Sequence, residues 1–139
     1  MKRMFNALLS LASIGAAAGL LFAGPARAQE EEKLLNVYNW SDYIAEDTIK
    51  NFEKETGIKV RYDNFDNNEI VHAKLVAGKT GYDIVVPSSN WAKLQIDGGL
   101  LRKIDKSQLS NYKNLDPAVQ SQLARMDPGN DYMVNWLWG

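Results

Sequence analysis

From Leu34 onward, apolar and polar positions fall into short alternating blocks, most of them closed by a recognisable stop signal. Leu34 to Trp40 is a brief apolar run of strand composition. Ala45 to Thr56 carries Ile49 and Phe52, with Ile44 just before and Glu46 and Asp47 in its first turn, so it predicts a helix ended by Gly57. Ile58 to Phe65 alternates apolar with polar and predicts a strand. Asn67-Asn68-Glu69 opens a second helix through Ile70, Val71, Ala73, Leu75 and Val76, stopped by Gly78. Tyr82 to Ser88 is a continuous β-branched run ended by Pro87, the pattern of a strand buried on both faces. A third helix is expected from about Trp91 to Ile96, stopped at Gly98-Gly99. Leu100 to Asp105 leads into a loop, Asp116-Pro117 opens a fourth helix to about Arg125, and Asp127-Pro128-Gly129-Asn130 reads as a turn. Residues 132–139 read as the start of another strand, on which Trp136 and Trp138 alternate and one of them is core.

This strand–helix alternation with short connections predicts an α/β fold with a mostly parallel sheet. In open sheets of that kind, ligands sit beyond the carboxyl ends of the strands. Two stretches qualify: Trp40-Ser41-Asp42-Tyr43 after the first strand, and Ser88-Ser89-Asn90-Trp91 after the third.

The N-terminus changes the accounting. Lys2 and Arg3 precede an apolar stretch from Phe5 to Phe22, and Ala26-Arg27-Ala28 follows as an Ala-x-Ala cleavage pattern. Residues 1–28 are therefore read as a secretory signal peptide, with an uncleaved membrane anchor as the rival, and 29–139 as the mature part. Its removal takes Lys2, Arg3 and Arg27 and no acid, so 16 Lys and Arg fall to 13 against 17 Asp and Glu, a net charge of −4. An acidic exported chain suits cationic ligands and argues against nucleic acid. With no cysteine, disulfide staples are excluded, and stability must come from a packed core of modest size.

Trp40, Asp42 and Tyr43 together match a ligand with apolar length and positive charge. Ring faces cover methylenes and attract a cation, a carboxylate adds a charge-assisted hydrogen bond, and Ser41 and Ser88 accept further ammonium protons. A plainer reading stands beside this one: Ser41 or Asp42 caps the following helix, Trp40 and Tyr43 are core aromatics, and Ser88 is a cap. Other chemistry is thin. His72 is the sole histidine, read as a helix surface residue, and no triad nucleophile accompanies it. No glycine-rich phosphate loop or G-x-S-x-G elbow follows a strand. A transition-metal site is not expected, nor are catalytic residues or a cofactor. Asp63, Asp66 and Glu69 read as solvated charges.

Residues 37–69 (VYNWSDYIAEDTIKNFEKETGIKVRYDNFDNNE), 74–89 (KLVAGKTGYDIVVPSS) and 104–117 (IDKSQLSNYKNLDP) closely resemble the periplasmic polyamine-binding proteins of bacterial ABC importers. The resemblance spans essentially all of residues 34–139. It implies a type II periplasmic binding protein-like fold, of which this chain is the partial first lobe. It also implies that Trp40, Ser41, Asp42, Tyr43 and Ser88 line the ligand cleft. There the aromatics stack along the polyamine's carbon chain, while the acid and hydroxyls meet an ammonium end. Ser41-Asp42 is similar to putrescine-preferring members, where spermidine-preferring ones tend to carry Thr-Glu. Asn90 stands where relatives often have an aromatic or a serine, and Asn135 where they have a proline before an aromatic. Trp138 matches a residue on the approach to the hinge. The implied partners are a polyamine (putrescine or spermidine) and an ABC permease in the inner membrane, for a monomeric periplasmic receptor. Family members continue past Gly139 with a second lobe, so this chain is expected to be an N-terminal fragment that binds polyamine weakly or not at all on its own. Competing readings are a receptor of the same fold for another small solute, an exported α/β enzyme using Asp42 or Asp66, and a protein that contacts the permease without transporting.

Overall fold

The strand composition of Leu34–Trp40 is realised as β1, the central strand of a parallel sheet with β2 (Lys59–Phe65) on one side and β3 (Ile84–Val85) on the other. A computed structural model describes residues 32–137. The expected signal peptide, residues 1–28, and Trp138 lie outside the described residues. β1 pairs with β2 along its whole length, from Leu34 opposite Lys59 to Trp40 opposite Phe65, and with β3 at Val37–Ile84 and Tyr38–Val85.

The helices sit close to where their local signals place them. α1 (Thr48–Thr56) begins three residues later than expected, because Ala45 to Asp47 form a turn, and it ends on Gly57 in the left-handed region at φ 70°. That conformation favours glycine, which has no Cβ to clash. α2 (Asn68–Ala77) is capped by the Asn67 side chain, which accepts from the Ile70 N–H at 2.9 Å. α3 (Ser89–Asp97) starts earlier than its apolar residues suggest. Two short 3-10 turns, Lys106–Gln108 and Tyr112–Asn114, lead to α4 (Pro117–Leu123), whose cap Asp116 accepts from the N–H groups of Ala118 and Val119.

The core is aromatic. Tyr38, Phe65 and Val71 are buried, and Trp40, Leu75, Tyr82 and Val85 pack against them. Tyr38 stacks on Tyr82 with ring centroids 4.6 Å apart and meets Phe65 edge-on at 4.9 Å. Such pairs contribute about 0.5–1.5 kcal/mol each beyond their area burial. Lys74 Nζ lies 4.5 Å above the Tyr38 ring, closing that side with a cation–π contact.

Three expectations are corrected. β3 is not buried on both faces: it is two residues long, and Ile84 is 45% exposed. Among the described residues it pairs only with β1, so one edge carries no strand. Residues 132–137 form no strand. The N–H groups of Tyr132 and Met133, which would enter a ladder, donate instead to the buried Asp127 carboxylate, and Trp136 is 54% exposed. His72 is not a surface residue: it is half-buried, with its ring 5.4 Å from that of Trp91.

Candidate functional site

The strand order β2-β1-β3 places a reversal of winding beside β1. The chain leaves β1 for β2 on one side, then crosses back over β1 to reach β3 on the other. Loops leaving β1 and β3 therefore diverge, and open α/β sheets place ligands beyond the strand ends at such a point. Trp40 to Tyr43 leave β1 at that point, and Val86 to Ser88 leave β3 there.

Trp40 occupies the corner half-buried. Its indole N–H donates to the Val86 carbonyl at 2.9 Å, and its ring lies 4.6 Å from Phe65 and 6.0 Å from Tyr43. Core packing and outward presentation thus coexist in one side chain: one part touches Phe65, while the Tyr43 ring beside it is 40% exposed. Amides surround the corner. Asn39, itself buried, donates to the Tyr62 hydroxyl at 2.8 Å and accepts from the Trp40 N–H. Asn64 Nδ2 donates to the Trp40 carbonyl at 3.1 Å, binding the ends of β1 and β2 together.

Ser41 and Asp42 do not cap α1, whose boundary lies at Asp47. Asp42 adopts φ 60°, in the left-handed region, which aspartate tolerates better than most side chains but which still costs free energy. Its carboxylate is exposed and forms no ion pair among the described residues. Ser88 sits at the N-terminal boundary of α3, yet its hydroxyl makes no capping bond; it accepts from Asn68 Nδ2 at 3.0 Å. The cap reading of Ser88 therefore fails. Asn90 is exposed in the first turn of α3.

The structure thus joins Trp40 with Tyr43 directly, and Trp40 with the segment that carries Ser88. Asn64 and Asn68 were missed by sequence reasoning. For Asn68 the only signal was the polar run from Asp66 to Glu69, in which nothing local reveals a partner in another loop. Deeper in the sheet, burial and then the hydrogen bond to Asp63 push the Tyr82 phenol above its ordinary value. It stays a neutral donor that fixes the sheet under the corner.

The chemistry of the corner is one-sided. The indole N–H is already spent on Val86, so what faces outward is ring surface, hydroxyl oxygen and a carboxylate. That set favours cations with apolar length over anions. The described residues hold no cluster suited to a metal ion. A separate shallow cleft of about 330 Å³, bordered by Gln108, Leu109, Tyr112, Leu115 and Val134, includes none of these residues and no charged group. No helix among the described residues is long and apolar enough to cross a membrane.

Residues 47–138 match the family described as bacterial extracellular solute-binding protein. The chain is 49% identical over 139 residues to the putrescine-binding periplasmic protein SpuD of Pseudomonas aeruginosa, covering all of this chain and 36% of that protein. It is 45% identical over 137 residues to the putrescine-binding periplasmic protein PotF of Escherichia coli, covering 99% and 35%. Among solved structures, the spermidine/putrescine ABC transporter substrate-binding protein PotD of Streptococcus pneumoniae superposes with a TM-score of 0.72 at 38% identity, over 76% of this chain and 32% of that one. The chain spans about a third of the length of the curated relatives it matches. The parallel sheet with its helices agrees with part of one lobe of such a binding protein.

Proposed function

The chain belongs to the bacterial extracellular solute-binding proteins, and from that premise we propose that its corner at Trp40–Tyr43 and Ser88 receives one ammonium end of a diamine of putrescine type. The observation that carries this reading is the exposed Asp42 carboxylate, without an ion-pair partner among the described residues, in the same turn as the Trp40–Tyr43 ring pair. The names of the relatives, putrescine-binding proteins at 45–49% identity, support it. They also support a binding role over an enzymatic one. On the same reading, residues 29–139 contribute part of the first lobe of a periplasmic receptor serving an ABC permease, and residues 1–28 direct export.

Magnitudes bound what this corner does alone. An exposed cation–π contact contributes about 0.5–1 kcal/mol and an exposed ion pair about 0.2–1 kcal/mol. Micromolar affinity needs about 8 kcal/mol. The corner therefore orients an amine end and holds it weakly, with an expected Kd on the order of 10 mM or weaker.

Titrating the ¹⁵N-labelled chain with putrescine tests this. Saturable shifts are expected at Ser41 to Tyr43 and at Ser88, larger than those from ammonium chloride at matched ionic strength. Shifts no larger than those of the salt, or confined to other residues, would sink the proposal.

A further inference from the structure

Ser88 is gripped from α2. Asn68, in that helix's first turn, accepts from the Ser88 N–H through Oδ1 at 2.9 Å and donates from Nδ2 to Ser88 Oγ at 3.0 Å. A main-chain N–H can only donate, so it settles which end of the Asn68 amide is oxygen. The other end is then the NH2 group, and the Ser88 hydroxyl has to accept from it. Valence dictates the rest: one lone pair of Oγ is used, its own hydrogen turns away from Asn68, and one lone pair remains.

We infer that Asn68 is a positioning residue for the proposed diamine site, acting through Ser88; the inference rests on the reading of that site given above. A serine hydroxyl at an exposed position ordinarily samples several rotamers. The reciprocal pair closes a ring through the Ser88 backbone and side chain, which holds Oγ in one place before a ligand arrives. Rotamer freedom that would otherwise be lost on binding is already given up in the free protein. The bond also joins the exit of β3 to the helix that follows β2, twenty residues earlier. Helix capping does not require Asn68, because the adjacent Asn67 already satisfies the Ile70 N–H. Two neighbouring asparagines thus divide the work: one starts the helix and the other holds Ser88.

The test is a thermodynamic cycle on the 139-residue chain, read by NMR titration with putrescine. Asn68→Ala is expected to weaken binding about fivefold, Ser88→Ala by a similar factor, and the double variant no more than either alone. Asn67→Ala removes the cap of the same helix and is expected to lower stability with affinity unchanged, which a merely structural role for Asn68 does not predict. Asn68→Asp keeps an acceptor for the Ser88 N–H and turns the hydroxyl hydrogen inward, leaving both lone pairs outward. Its binding is expected to be tighter than that of Asn68→Ala, and this gain is expected to vanish when Ser88→Ala is added. Parent-like affinity in Asn68→Ala, additive effects in the double variant, or an Asp gain that persists without the Ser88 hydroxyl would each overturn the positioning role and leave the diamine site standing. A parent chain that shows no putrescine-specific shift overturns both. If Asn68→Ala fails to fold, Ser88→Ala is compared in the parent and in Asn68→Asp: a larger loss in Asn68→Asp, where both lone pairs face outward, supports the positioning role, and an equal loss overturns it.

Discussion

The indole N–H of Trp40 and the carbonyl of Val86, 2.9 Å apart, tie the exit of β1 to the exit of β3. Forty-six residues separate the two in the chain. Trp40→Phe keeps a ring against Phe65 but removes the donor. The variant is expected to lose about 1 kcal/mol, seen as a lower urea midpoint. An unchanged midpoint would mean that water replaces the indole without loss.

Asp42 combines a proposed ligand contact with a conformational cost. At φ 60° a Cβ is disfavoured, so Asp42→Gly is expected to be about 1 kcal/mol more stable than Asp42→Ala. Both variants lack the carboxylate, and both are expected to bind putrescine several-fold more weakly than the parent. Urea denaturation reads the first effect and NMR titration the second. Equal stability of the two variants would count against the left-handed turn, and undiminished binding against the carboxylate.

Asp116 satisfies two N–H groups of α4, at 2.7 Å from Ala118 and 3.2 Å from Val119. Asp116→Ala is expected to cost about 1–2 kcal/mol. Hydrogen exchange should report the loss locally, with faster exchange at the start of α4 and little change in β1. Uniform acceleration across the sheet would contradict a local cap.

Asp131 anchors the loop after α3 by accepting from Lys103 at 3.1 Å and Lys106 at 3.2 Å. These two lysines hold its carboxyl below the ordinary value of 3.8. A carboxylate with a lowered folded pKa stabilises the fold above its unfolded pKa, and that contribution is lost as pH falls through the folded value. Asp131→Asn is therefore expected to be less stable than the parent at pH 7, with the gap closing below about pH 4. A gap that is constant from pH 7 to pH 2 would show that charge plays no part.

Much of the fold was legible because its signals are local. Gly57 and Gly78 stand at the positive φ values that end α1 and α2, and Asn67 and Asp116 supply oxygens within three residues of the N–H groups they satisfy. The strand pair β1–β2 follows from residue type and alternation. The site was legible only as a set of residue types at a sheet edge. Ser88 looked like a cap, since a serine before a helix usually is one; its partner, Asn68, sits in a different helix. His72 looked exposed on its own helix, but α3 brings Trp91 against it.

Short-range chemistry along the chain was enough to decide the order of strands and helices as far as α4, most of their ends, and the presence of rings, hydroxyls and an acid after β1. Those outcomes depend on hydrogen bonds and steric limits within a few residues. Which strand lies at the centre, where the indole hydrogen goes, and how Ser88 is held were decided only when β3 came to lie beside β1. Each of those outcomes needs a partner from a distant part of the chain, and residue spacing carries no record of which distant groups will meet.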